Sequence, residues 1–167
     1  PWCNAIAKAK DKFIAIADPE TYEKEAMFAY QLIQKNSYLQ SIANKAPDSL
    51  RNAVINVAAI GLSLNPAIGD AYLVPRDNVA VLDISYKGMR RLATDSGAIK
   101  WCQDEVVYST DTFKYLGPTT RPIHEVPNVF GDRGNVTGVY CEAKTHDGDY
   151  LIEVMALSQL QEVRDRS

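Results

Sequence analysis

The chain has 167 residues, 46% of them hydrophobic, and a formal net charge of −3, which fits one compact domain with an ample core and excludes a protein coated in positive potential. No apolar run approaches the roughly 18 residues that span a bilayer, and the amino terminus has no basic region followed by a continuous apolar stretch, so a soluble, cytoplasmic protein is expected. Cys3, Cys102 and Cys141 are odd in number, widely separated and without Cys-x-x-Cys spacing, which suggests reduced thiols in place of a disulfide framework or thiolate metal site.

In chain order, Ile6, Phe13, Ile14 and Ala17 have the spacing of one helical face. Asp18-Pro19 then supplies a cap and a first-turn proline, and Tyr22, Ala26, Ala29, Tyr30 and Ile33 continue the periodicity. Ser37 and then Asp48 or Ser49 read as further caps, giving a series of short helices that ends at Gly61. Asp70 to Pro75 and Val79 to Ile84 are β-branched apolar runs joined by Arg76-Asp77-Asn78, a hairpin signal.

A helix follows the hairpin directly, with Ser85 as its cap and Gly97 as its close. Tyr86, Met89 and Ala93 share one face of it, while Lys87, Arg90, Arg91 and Thr94 share another. Like charges at that spacing destabilise an isolated helix by roughly 0.2–0.5 kcal/mol per pair, so an anionic partner such as phosphate would give the stripe a purpose. Spacing alone favours a solvated helix face on which Arg91 pairs with Asp95.

Beyond Gly97, Ile99 to Tyr108 and Thr112 to Leu116 are strand-like, and Val139 to Lys144 pairs with Tyr150 to Met155 across Asp147-Gly148. The intervening Gly117 to Gly134 holds Pro118, Pro122 and Pro127 and reads as an irregular loop. Ser158 reads as the cap of a last helix.

Enzyme chemistry finds little support. No phosphate-cradling Gly-x-x-x-x-Gly-Lys-Ser/Thr run is present, so ATP use is not expected. Gly61-Leu62-Ser63 begins like a nucleophile elbow, but Asn65 stands where the closing glycine belongs. His124 and His146 share no metal-ligand spacing and read as isolated surface or loop residues. Asp104 and Glu105 are neighbours on a strand and point to opposite faces, so they cannot chelate one ion together. No catalytic residue, metal site or cofactor is expected.

The run GLSLNPAIGDAYLVP followed by a hairpin and ISYKGMRRLATDSG closely resembles the RecT family of phage single-strand annealing proteins. The resemblance extends through QKNSYLQSIANKAPDSLRNAVINVAAIGL before it and VTGVYCEAKTHDGDYLIEVM after it, with Ser85 standing where relatives often have Gly. It implies an α+β fold, an antiparallel sheet packed against the basic helix, with a helical subregion to about residue 61 and an α+β core over about 62–167. It also implies a basic segment with a Pro-Trp pair, expected beyond Ser167.

For function, the resemblance implies ATP-independent binding and annealing of single-stranded DNA, with the duplex as the annealed intermediate, in the bacterial cytoplasm of a phage or prophage host. It implies homo-oligomeric rings or filaments, for which the amino-terminal helices are the candidate contact surface, and a phage exonuclease and host single-stranded DNA-binding protein as partners. Lys87, Arg90 and Arg91 become candidate phosphate contacts and Tyr86 a groove-shaping residue, with Asn65, Tyr72 and Arg76 beside them and Lys100, Lys114 and Arg121 as outlying cations. Rival readings are a phage assembly or scaffold protein and a metal-dependent nuclease.

Overall fold

The computed structural model describes residues 1–166 and divides into two compact units, Pro1–Leu92 and the residues from Ala93 onward. The division lies well beyond the residue-61 limit of the expected helical subregion, because the first hairpin packs on the helices that precede it.

The first unit opens with four helices: α1 (Trp2–Ile14), α2 (Pro19–Lys35), α3 (Ser37–Lys45) and α4 (Pro47–Ile60). Asp18 caps α2 as expected, its carboxylate accepting from the Thr21 N–H at 2.8 Å with Pro19 in the first turn. The cap of α3 is Asn36 and not Ser37: Asn36 is extended and its side chain accepts from the Leu39 N–H at 3.0 Å, while Ser37 is already helical. The helix expected to start at Asp48 or Ser49 starts at Pro47, after Ala46, which has no side-chain acceptor. Ser49 instead ties α4 to the hairpin, donating to the Ala46 carbonyl at 2.7 Å and accepting from the Ala80 N–H at 2.9 Å. Gly61 ends α4 at φ +74, the left-handed conformation that side chains disfavour.

Strands β1 (Ala71–Arg76) and β2 (Val79–Ile84) form an antiparallel pair with Arg76 opposite Val79. Asp77 and Asn78 both take positive φ, as a two-residue hairpin turn requires. The core joins Ile6, Ala9 and Phe13 of α1 to Ala29 and Ile33 of α2, Leu50, Val54 and Val57 of α4, and Leu73 and Ala80 of the hairpin. Each large side chain buried here contributes about 1.5–3 kcal/mol relative to exposure. Ile14, expected on the buried face, is partly exposed at the end of α1.

Helix α5 (Tyr86–Asp95) follows β2 across a single residue. In the second unit, β3 (Trp101–Tyr108), β6 (Val136–Lys144) and β7 (Tyr150–Ala156) form an antiparallel sheet in the order β3-β6-β7, and helix α6 (Leu157–Asp165) packs on β6 and β7. Gln159 accepts from the N–H of the cap residue Ala156 at 2.8 Å, two residues before the expected cap Ser158, which is already helical. A further pair, β4 (Thr112–Lys114) with β5 (Ile123–Glu125), stands apart from that sheet. The fold is α+β as expected, but its strands form three separate antiparallel sheets. Strand β5 lies inside the segment expected to be irregular, because Pro122 and Pro127 bracket a three-residue run that still pairs through Phe113 and His124.

His124 is not the isolated histidine its spacing suggested. Its Nε2 lies 3.1 Å from Asp111 Oδ2 and its Nδ1 lies 3.3 Å from the Tyr140 hydroxyl, with the Phe113 and Tyr140 rings both edge-on to it. The fully buried Asp111 carboxylate also accepts from Arg133 Nη2 at 2.6 Å and from the Tyr108 N–H at 2.9 Å. The Arg133 guanidinium, aided by the Tyr108 amide and His124, holds the Asp111 carboxyl well below the usual carboxylate range. A carboxyl depressed by folding stabilises above its unfolded value of about 3.9, and that stabilisation is lost as pH falls below about 4 toward the folded value. The stability difference between wild type and Asp111→Asn, measured by urea unfolding, is therefore expected to shrink as pH falls from 4 to 3.

Candidate nucleic-acid interface

The segment from Gly61 to Asp70 is held by a buried carboxylate from α2. Glu25 accepts from the Ser63 hydroxyl at 2.6 Å and from the Leu64 N–H at 2.7 Å, which offsets the cost of burying its charge. Asn65 then closes a turn, its side chain accepting from the Ala67 N–H at 3.0 Å and its carbonyl from the Ile68 and Gly69 N–H groups. Its side chain thus has a turn-forming task within this segment.

Ser85 starts α5 with a cap that works in both directions. Its hydroxyl accepts from the Gly88 N–H at 3.1 Å and donates to the Gly69 carbonyl at 2.6 Å, while its own N–H donates to the Asp70 carbonyl at 2.9 Å. The helix start is therefore sewn to the segment before β1 by side chain and backbone together. A Gly at position 85 would keep only the backbone bond.

The inner side of α5 differs from the expected one. Tyr86 and Met89, assigned to its packed apolar face, are 60% and 57% exposed. Gly88 is buried there, and Leu92 packs on the core. At Gly88 a Cβ would run into the Asp70 carbonyl oxygen and lie 2.9 Å from Ile84 Cγ2 and 3.0 Å from Leu62 Cδ1. The approach is too close for any side chain, so the larger residues are displaced outward.

The three cations of the stripe have different surroundings. Arg91 Nη1 lies 2.6 Å from Asp70 Oδ2, with the Asp70 side chain 4% and that of Arg91 46% exposed. Asp70, 21 residues earlier in the chain, is a partner that helix spacing does not suggest. Arg90 is partly buried, and Lys87 is exposed with no carboxylate paired to it among the described residues. On the hairpin, Tyr72 and Arg76 alternate outward from Leu73, Tyr72 being 44% exposed and Arg76 lying 3.8 Å from Asp83. The first unit thus carries Asn65, Tyr72, Arg76, Tyr86, Lys87, Arg90 and Arg91.

Lys100, Lys114 and Arg121 belong to the second unit. Lys100 and Lys114 are exposed, at the start of β3 and on β4. Arg121 makes a two-pronged contact with the nearly buried Glu142, at 3.0 and 2.8 Å, and lies 5.4 Å from the Tyr150 ring centre. Trp101 and Phe113 pack against Tyr150 and Tyr140 respectively.

Glu25, Asp70 and Gly88 shape this region and were missed in the sequence. Glu25 had one available signal: it sits beside Ala26 and three residues from Tyr22 on the buried face of α2, an unusual place for an unpartnered acid. Gly88 had another, a glycine inside a helix where it costs about 1 kcal/mol relative to Ala.

The RecT family model matches residues 23–167. The chain is also similar to Protein RecT of Escherichia coli (strain K12), 33% identical over 129 residues that make up 71% of this chain and 47% of that protein. The match thus spans about half the length of that relative. A family match running from within α2 to the end of the chain, over the cap, the close-packed Gly88 and the exposed Lys87, establishes that this chain belongs to the RecT family.

Proposed function

We propose that this protein binds single-stranded DNA and anneals complementary strands without nucleotide hydrolysis, serving recombination in a phage-infected bacterial cytoplasm. Family membership supports the reading, and the observation that carries it is the outer edge of α5. That edge presents Lys87, unpaired among the described residues, beside the exposed Tyr86, on a helix whose inner side is fixed by Ser85, Gly88 and the Arg91–Asp70 pair.

Such an edge suits a backbone contact: Lys87 meets phosphate as a point charge and Tyr86 lies flat against sugar or base. The outward Arg76 and Tyr72 extend the same chemistry along the hairpin. No covalent step is needed. Sequence is read by the second strand, whose stacking contributes about 1.4 kcal/mol per base-pair step, while the protein aligns strands and neutralises charge. One subunit covers few nucleotides, so a useful length of strand needs many copies side by side in a ring or filament. An exonuclease that exposes the strand and a host single-stranded DNA-binding protein that precedes this one on it are the partners such a role calls for.

The test is a salt titration of oligonucleotide affinity with a parallel annealing assay lacking ATP. Each phosphate contact on a single strand contributes about 0.7 to the slope of log affinity against log salt. Lys87→Ala is expected to lower the slope by about that amount and to slow annealing. An unchanged slope and rate would remove Lys87 from the interface.

A further inference from the structure

Across the second sheet, Trp101 of β3, Lys144 of β6 and Tyr150 of β7 stand directly opposite one another and so share one face. Two strand spacings separate the backbones of the outer pair by about 10 Å. Their ring centres are nevertheless 6.3 Å apart and edge-on, so the two rings lean together over Lys144. The Lys144 Nζ lies 5.1 Å from the centre of the Tyr150 ring.

A second cation reaches the same ring from beside the sheet. The Ile152 N–H donates to the Pro118 carbonyl at 2.7 Å, which lays the segment between β4 and β5 along the edge of β7 and brings Arg121 to 5.4 Å from the Tyr150 centre. Glu142, two residues before Lys144 and on the same face, accepts from Arg121 Nε and Nη2. That contact fixes the plane of the guanidinium and leaves its Nη1 outside the pair, on a side chain 58% exposed.

Two cations thus gather at one ring, and one carboxylate answers them. No carboxylate pairs with Lys144 among the described residues. Strand alternation sends Asp104, Asp149 and Glu153 to the opposite face, and Glu105 stands two rows farther along, opposite Tyr140. Like charges held this close repel, so an anion that meets both would relieve the strain between them. A free anion would touch only the cations. A nucleic-acid strand would also meet the partly buried rings of Trp101 and Tyr150 with its sugars and bases.

We propose that Lys144 and Arg121, both held at the Tyr150 ring, form a phosphate contact for single-stranded DNA in the second unit, with Trp101 beside the bound strand. Tyr150 is the positioning residue, since its ring sets where both charges lie. The proposal rests on the strand-binding reading above and adds a contact that is independent of the α5 edge.

Oligonucleotide binding by the full chain, followed by anisotropy across a salt series and by tryptophan emission, tests it. Of the two tryptophans, Trp2 is 9% exposed within the first unit and Trp101 lies at the contact. Bound oligonucleotide is expected to change the emission of wild type and not that of Trp101→Phe. Inorganic phosphate at matched ionic strength should leave the emission unchanged. Lys144→Gln should lower the slope of log affinity against log salt by about 0.7, whereas Lys8→Gln, the same loss of charge on an exposed position of α1, should not. Tyr150→Leu should lower the slope at least as much as Lys144→Gln, and Tyr150→Phe, which keeps the ring, should match wild type. Circular dichroism checks the fold of each variant. An emission change that survives in Trp101→Phe or that phosphate reproduces, or a slope that Lys144→Gln leaves intact, would overturn the proposal. A slope lowered by Lys144→Gln and not by Lys87→Ala counts against the α5 edge and leaves this contact standing. A wild type that binds no oligonucleotide overturns both.

Discussion

Arg91→Ala is expected to lower folding stability by about 3–5 kcal/mol, and Asp70→Asn by about 1–2 kcal/mol. The two residues share a 2.6 Å contact, so a simple pair would lose the same amount from either side. Their surroundings make the losses unequal. Without Arg91, the Asp70 carboxylate, 4% exposed in the intact pair, loses its guanidinium, and an uncompensated buried charge is among the most destabilising features a substitution can leave. Without the Asp70 charge, the Arg91 guanidinium is already 46% exposed and water can take over its hydrogen bonds. Urea unfolding of the two variants measures the difference. Equal losses, or a larger one for Asp70→Asn, would show that this ion pair does not anchor the helix.

This asymmetry also bears on DNA binding. A loss of affinity in Arg91→Ala combines a missing cation with a loosened helix, whereas Lys87→Ala removes a charge that no carboxylate holds among the described residues. Substituting Lys87, Arg90 and Arg91 together would therefore confound folding with binding.

Gly88→Ala is expected to lower the melting temperature by about 4–8 °C, against the usual rule that alanine stabilises a helix. Replacing an exposed interior glycine by alanine gains about 1 kcal/mol in helix propensity. At Gly88 the new methyl group would collide with the Asp70 carbonyl oxygen and press on Ile84 and Leu62. Overpacking of a tight site typically costs 1–3 kcal/mol, and here the obstacle is backbone. The Asp70 carbonyl accepts from the Ser85 N–H, so it cannot give way without disturbing the start of α5. A net loss of about 2 kcal/mol corresponds to the stated shift for a chain of this size. Thermal unfolding followed by circular dichroism decides the matter, and a rise in melting temperature would mean that α5 sits farther from the segment below it.

Features written in local residue chemistry were legible in the sequence. Asp18-Pro19, Asp77-Asn78, Asp147-Gly148 and the Ser85 cap each depend on a few adjacent residues, and all four mark the ends or turns expected of them. The run from Gly61 through Ala93 carried the family resemblance because turn, hairpin and helix start follow one another without a break. What could not be read depends on partners distant in sequence. Glu25 bonds Ser63 and Leu64, 38 and 39 residues away, and Arg133 reaches Asp111 across 22. Helix α5 misled for a different reason. Hydropathy assigns the larger residues Tyr86 and Met89 to the interior, but the approach over Asp70 is so short that only a glycine fits.

The family match begins at residue 23, inside α2, yet α1 lies wholly before it and supplies Ile6, Ala9 and Phe13, all fully buried. The stretch matched by the family model is thus shorter than the stretch that packs into the first unit. A fragment trimmed to the family boundary would leave the side chains that face α1, Val54 and Leu50 of α4 among the same cluster, open to water. The boundary of the match and the boundary of the packed unit fall at different residues, and it is the second that an expressed fragment has to respect.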